Sequence, residues 1–212
     1  MQHQFVNYIT ETRHSLLTGR YAAGDAPVLS RLKSYADRLL ARPANFLAGR
    51  GITPNVLTLC GLAIGIFAGI VLALGFFFAG GVLILLTGLV DMLDGAVARN
   101  GRATTTFGAT FDSISDRYVD CIVLLGLGVA GVNWLYVGAA LMGSLLVSYV
   151  RAKAEGLGIP CTVGIAERSE RLLILAIGLL VGFVEPAVLL VAILAQFTAL
   201  WRIGLLLQRA AS

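Results

Sequence analysis

Charge is scarce in this chain. Asp, Glu, Lys and Arg make up 13% of its 212 residues, against about 25% in an ordinary soluble domain. That shortage excludes a disordered chain and a nucleic-acid-binding tail, both of which are rich in charge. Cysteine is scarce too. Cys60, Cys121 and Cys161 are odd in number, widely spaced and form no CxxC pair, which excludes a disulfide-rich secreted module and a thiolate zinc site. The two histidines, His3 and His14, both precede the apolar part of the chain. No histidine is therefore available for chemistry within a membrane. The first fifty residues are polar and mixed, so no cleavable signal peptide is expected.

Apolar residues are abundant. The chain is 58% hydrophobic, with a mean hydropathy of +0.85, as expected for a polytopic membrane protein. Residues 51–90 carry no charged side chain, enough for two spans at roughly 20 residues each. Residues 121–150 are also uncharged. Breaks near Gly75–Gly81, near Gly131, Asn133 and Trp134, and at Glu185–Pro186 divide the chain into six helices, at about 54–75, 79–99, 107–131, 135–156, 166–184 and 187–208. Thr53 is the expected N-cap of the first, with Pro54 at its first helical position.

The turns near 76–80, 131–134 and 184–186 contain no Lys or Arg, and all 16 basic residues lie in the tail, in the other loops or beside them. Cytoplasmic loops carry the basic residues. The expected topology is a multi-pass protein of the cell membrane with both termini and the active site on the cytoplasmic side. Ahead of the first span, Val28, Leu32, Tyr35, Ala36, Leu39 and Leu40 recur at helical spacing, with Arg31, Lys33, Asp37, Arg38 and Arg42 on the other side. This predicts an amphipathic helix in the interface, ended by Pro43. The expected fold is all-α: a tail at 1–27, the amphipathic juxtamembrane segment at 28–50, and a six-helix membrane domain at 51–212.

The chemistry concentrates between Asp91 and Asp120, a stretch holding five of the twelve acidic residues. Carboxylates at membrane depth are costly and mark function by default. Asp91 and Asp94 are three apart and share a helix face; Asp112 and Asp116 are four apart and share another. A short loop joins the two helices, so they are antiparallel neighbours and four carboxylates can converge. Their repulsion is relieved by shared protons or by divalent cations. An all-oxygen set favours Mg²⁺, Mn²⁺ or Ca²⁺ over zinc, and a pair of such ions suits phosphate chemistry. Gly95 and Gly108 permit close approach beside the acids, and Arg99 supplies a fixed cation.

The pattern Asp91-x2-Asp94-Gly95-x2-Ala98-Arg99-x8-Gly108-x3-Asp112-x3-Asp116 resembles the signature of the CDP-alcohol phosphotransferase family at every position. The segment Thr53–Thr58, TPNVLT, is similar as well, and the likeness runs from about Thr53 to Arg171. The resemblance implies six transmembrane helices, usually in a homodimer, and transfer of a phosphoryl-alcohol group from a CDP-linked donor to an acceptor hydroxyl with release of CMP. It implies that Asp91, Asp94, Asp112 and Asp116 hold Mg²⁺ or Mn²⁺, as two ions. Asp116 would also be the base. Asn55, Thr58, Asp94, Gly95, Arg99, Thr105 and Gly108 would surround the CDP.

A second cluster bears on the acceptor. Arg151, Lys153, Arg168, Arg171 and Arg202 form a candidate basic pocket, suited to an acceptor that already carries phosphate. The segments SYVRAKAEGLG and GIAERSERLLILAIG resemble the inositol-phosphate-using branch, the phosphatidylinositol phosphate and archaetidylinositol phosphate synthases. That likeness implies that Ser148, Arg151, Arg171 and Arg202 bind 1L-myo-inositol 1-phosphate, with Lys153 and Arg168 nearby. Ser169 stands where bacterial members often have proline, which tilts the likeness towards the archaeal type. The donor lipid stays open between CDP-diacylglycerol and CDP-archaeol. Three rivals remain: glycerol 3-phosphate as acceptor, a CDP-inositol donor, and a non-enzymatic cation transporter or channel.

Overall fold

The computed structural model describes residues 40–101, 105–161 and 163–210. The expected tail and most of the expected amphipathic segment lie outside the described residues. Seven helices follow in order: α1 over 40–49, α2 Pro54–Ala73, α3 Phe77–Gly101, α4 Thr106–Val129, α5 Trp134–Gly156, α6 Arg168–Val181 and α7 Val184–Ala210. In hydrocarbon each backbone N–H and C=O must be satisfied within its own segment, so these apolar runs fold as helices.

Four of them, α2, α3, α5 and α7, are long and apolar enough to cross a membrane. The other two expected spans depart for identifiable reasons. α4 has the length, but carries Asp112, Asp116, Arg117 and Asp120 in its first fifteen residues. α6 has only 14 residues, because its polar start is held back until Arg168.

The helix ends follow local chemistry. Gly75, Gly131 and Gly182 adopt φ of 83°, 100° and 82° at the turns after α2, α4 and α6, a region open to glycine without strain. Asn133 caps α5 by accepting from the Leu135 N–H at 2.9 Å. Thr53 and Pro54 start α2 as expected, although the Thr53 side chain makes no capping bond. Two expected boundaries are corrected. The turn before α7 falls at Gly182–Phe183, and Glu185 and Pro186 lie inside the first turn of α7, where proline has no N–H bond to lose. Pro43 does not end α1. Residues beyond it continue the helix because Ala44, Leu47 and Ala48 pack with Leu57, Leu93, Ala96 and Val97 near the ends of α2 and α3.

α2 packs on α3 and α4, α3 on α6, α5 on α7, α6 on α7 and α4 on α5. Buried Leu72, Val123, Leu127, Val137, Leu175 and Val188 form the shared core. With lipid as apolar as the side chains, association depends on close backbone approach at small residues. A side chain on Gly126 would strike the Gly69 carbonyl, and one on Gly69 would strike Ile122, so α2 and α4 touch backbone to backbone. Gly143 faces Ala195 and the Gln196 backbone in the same way, and Gln196 Nε2 donates to the Ala139 carbonyl at 2.9 Å.

This packing sets an expectation for stability. Gly126→Ala forces α2 and α4 apart, an overpacking cost of about 1–3 kcal/mol, and lowers the apparent melting temperature in detergent by roughly 2–10 °C. Gly138→Ala, whose added methyl meets open space, leaves it unchanged. Equal behaviour of the two variants in a thermal-shift series would refute the close contact.

Candidate active site

Polar residues of four helices meet at one end of the bundle. α3 brings Asp91 and Asp94, α4 brings Asp112 and Asp116, α2 brings Thr58, and α6 brings Arg168; together they line a partly open cleft. Carboxylate oxygens of Asp91, Asp112 and Asp116 lie within 4.8 Å of one another. The i, i+3 and i, i+4 spacings thus do place the acids on facing helix surfaces. Asp94 stands slightly apart: it is buried and accepts the Thr58 hydroxyl at 3.1 Å.

Three close carboxylates need compensating positive charge, and Arg168 supplies it. Its Nη1 lies 2.8 Å from Asp116 Oδ1 and 3.2 Å from Asp91 Oδ2, and its Nε donates to Asp120 Oδ1 at 3.1 Å. Arg117 adds a longer contact to Asp116 at 3.4 Å while donating to the Ser113 carbonyl at 3.0 Å. The sequence grouped Arg168 with the acceptor-side bases; the structure seats it among the acids. The donor set fits a hard divalent cation. All the candidate ligands are oxygens, no His or Cys joins the described cluster, and Ser115 Oγ, buried on the cleft wall, has no partner among the described residues.

The residues read as surrounding a CDP group also gather at this end. An added side-chain carbon on Gly108 would lie 2.8 Å from Asn55 Oδ1 and 3.1 Å from Thr105 Oγ1, so only glycine lets the starts of α2 and α4 approach. Thr105 caps α4 by accepting from the Gly108 N–H at 3.0 Å. The Arg99 guanidinium passes over Gly95, 3.3 Å from where a side chain would begin. Of these residues Thr58 and Asp94 line the cleft of the acid cluster, while Asn55, Thr105 and Gly108 meet one another at the starts of α2 and α4, and Gly95 meets Arg99 on α3.

The basic residues divide into two groups. Arg171 and Arg202 are almost wholly buried, at 3% and 2% exposure, and each is fixed by backbone carbonyls. Arg171 Nη1 donates to Ala166 at 3.0 Å; Arg202 Nε and Nη1 donate to Val163 at 2.7 Å and Val147 at 3.0 Å. Arg171 lies within electrostatic reach of Arg168 and Arg202, and Arg202 within reach of Arg151. Arg151 is exposed and pairs with Glu155 at 2.9 Å. Ser148 Oγ donates to the Ser144 carbonyl at 3.2 Å. Lys153 is exposed, two residues and about 200° around the helix from Arg151.

Sequence reasoning missed one member. Asp120, 11% exposed at its side chain, holds both Arg168 and Arg171. Its signal was present, since Asp112, Asp116 and Asp120 are successive steps of four along one helix face. The ERSER run also resolves. Glu167 and Glu170 form a capping box at the start of α6, with the Glu167 N–H donating to Glu170 Oε2 at 2.7 Å. The acids thus satisfy the helix end and leave the arginines for Asp120.

Comparison with known proteins agrees with this geometry. The archaetidylinositol phosphate synthase of Methanothermobacter thermautotrophicus is 39% identical over 191 residues, covering 86% of this chain and 92% of that protein. The enzyme of the same name from Pyrococcus horikoshii is 37% identical, covering 83% and 95%. Among solved structures, Mycobacterium tuberculosis phosphatidylinositol phosphate synthase with CDP-DAG bound aligns with a TM-score of 0.72 at 29% identity, covering 80% of this chain and 94% of that one. A second structure of that enzyme, in complex with manganese and citrate, aligns equally well, covering 79% and 88%. Residues 51–205 match the family described as CDP-alcohol phosphatidyltransferase; with its acid motif complete and its bundle shared with a solved member, the chain belongs to that family.

Proposed function

We propose that this membrane enzyme transfers a phosphatidyl or archaetidyl group from a CDP-lipid to 1L-myo-inositol 1-phosphate and releases CMP. The observation that carries the reading is the pair of buried arginines, Arg171 and Arg202, the first of them tied through Asp120 and Arg168 to an acid cluster of phosphate-handling type. An acceptor that brings its own phosphate matches two desolvated guanidinium groups. Free serine, choline or ethanolamine does not. The names of the archaeal and mycobacterial relatives support the same acceptor.

In this reading Asp91, Asp94, Asp112 and Asp116 would hold two divalent cations, Mg²⁺ or Mn²⁺, which would stabilise charge on the donor's phosphates. Asn55, Thr58, Gly95, Arg99, Thr105 and Gly108 receive the CDP. Ser148, Arg151, Arg171 and Arg202 bind the acceptor's ring and phosphate, with Lys153 at the mouth and Arg168 between the two halves of the site. Asp116 takes the proton of the attacking inositol hydroxyl. The hydroxyl oxygen bonds to the lipid-side phosphorus, and the bond from that phosphorus to CMP breaks. A cleft at the boundary lets the lipid enter sideways and the polar acceptor enter from water.

The same reading takes all six of α2–α7 as transmembrane, with the tail and α1 on the cytoplasmic side and α1 in the interface. The absence of Lys and Arg from the 76–80, 131–134 and 184–186 segments supports that orientation. The chain is read as a homodimer, in line with its family.

Four outcomes are expected. Purified protein in detergent with CDP-archaeol or CDP-diacylglycerol releases CMP with inositol 1-phosphate and not with glycerol 3-phosphate. EDTA abolishes the release, and Mg²⁺ or Mn²⁺ restores it. Turnover with glycerol 3-phosphate alone would reverse the acceptor assignment, and cation flux without CMP would favour the transport reading. Asp116→Asn lowers CMP release by about 10²–10⁴-fold while CDP-lipid binding, followed by calorimetry, stays within about twofold of the parent; retained activity would remove Asp116 from the base's role. Arg171→Gln raises the acceptor KM by roughly 10- to 100-fold and the donor KM by less than about twofold. Equal rises would place Arg171 outside the acceptor pocket.

A further inference from the structure

Asp120 lies one helical turn beyond Asp116 on the same face of α4, yet it is outside the cluster formed by Asp91, Asp112 and Asp116. Its two oxygens are divided between two arginines. Oδ1 accepts from Arg168 Nε at 3.1 Å, and Oδ2 lies 3.7 Å from Arg171 Nη2. Both arginines occupy the first turn of α6. That placement is unfavourable twice over: like charges three residues apart repel, and the N-terminal end of a helix already carries positive partial charge. Glu167 and Glu170 are engaged in capping. The two guanidinium groups share Asp120 on α4, and Arg168 also meets Asp91 and Asp116.

Arg168 faces two ways. Nη1 meets Asp91 and Asp116, both candidate metal ligands, while Nε meets Asp120. Whatever draws Nη1 from those carboxylates leaves the side chain tethered at Nε. Asp120 also borders, with Arg171 and Ser144, a second small cavity walled by α4, α5, α6 and α7. Its contacts to Arg168 and Arg171 place it between the acid cluster and the buried Arg171.

We propose that Asp120 is a positioning residue for the transfer: it orients Arg168 and Arg171 towards the acceptor's phosphate and touches neither donor nor acceptor itself. This inference rests on the acceptor reading given above.

The test uses the full-length protein in detergent. Asp120→Asn keeps the shape and removes the charge. It is expected to raise the KM for inositol 1-phosphate by about 10-fold or more, as for loss of a charged hydrogen bond, and to leave the KM for the CDP-lipid within about twofold. A residue important only for folding would lower the yield of active protein and leave both KM values alone, and that result would overturn the proposal. In an Arg168→Gln background, Asp120→Asn is expected to add less than the full single-variant effect, since coupled residues are non-additive; full multiplication of the two effects would also overturn it. Should Asp120→Asn not fold, the double variant removes the buried charge with its partner and is compared with Arg168→Gln alone. A further rise in acceptor KM supports the proposal through Arg171, and an unchanged value overturns it. If the unaltered enzyme turns over glycerol 3-phosphate and not inositol 1-phosphate, the acceptor reading fails, and the same KM comparison made with glycerol 3-phosphate decides Asp120 independently.

Discussion

Oxygens of Asp91, Asp112 and Asp116 lie within 4.8 Å of one another at the end of a membrane bundle. At that spacing, away from bulk water, like charges repel far more than on an open surface. The surrounding structure answers that repulsion. Arg168 reaches in from α6 to meet two of the three acids, Arg117 adds a contact from α4, and Thr58 donates to neighbouring Asp94. The arginine itself is held from behind by Asp120. Charge compensation thus passes from α3 through α4 to α6 in a continuous chain of contacts, and its far end is the buried Arg171.

Such a chain tolerates little movement of the helices that carry it. The packing is accordingly built on small residues. Gly65, Gly69 and Gly126 bring α2 against α4, Gly81 brings α3 against the α6 backbone, and Gly143 brings α5 against α7. Lipid offers no hydrophobic drive to such contacts, so they depend on the backbone approach that glycine allows. Gly108 extends the principle into the site, where Asn55 and Thr105 occupy the space a side chain would need. α4 therefore carries both a packing glycine, Gly126, and a site glycine, Gly108.

Several elements were legible before any coordinates. Helix count and order from residue 51 onward, the turns at Gly75 and Gly131, and the convergence of Asp91, Asp112 and Asp116 follow from periodicity and from the absence of charge between them. Boundaries set by backbone conformation were less so. Gly182 in the left-handed region ends α6 and draws Pro186 into α7, although Glu185–Pro186 reads as the break. Likewise Pro43 reads as a stop, and burial of Ala44 outweighs it. The four acids of the signature were assigned as one set, whereas Asp94 is turned to Thr58 on α2, a contact 36 residues away that no spacing rule contains.

By itself the sequence determined that the chain belongs in a membrane, which residue types carry the chemistry, and which of them share a helix face. These are local properties, fixed by composition and by the 3.6-residue repeat. Tertiary structure alone decided how the charges pair. Arg168 could face the acceptor-side bases or the acids with equal economy of sequence, and only the packing of α6 against α3 set it between Asp91, Asp116 and Asp120. The physical reason is that charge pairing depends on distance in space. The 48-position separation of Asp120 and Arg168 carries no local signal of it.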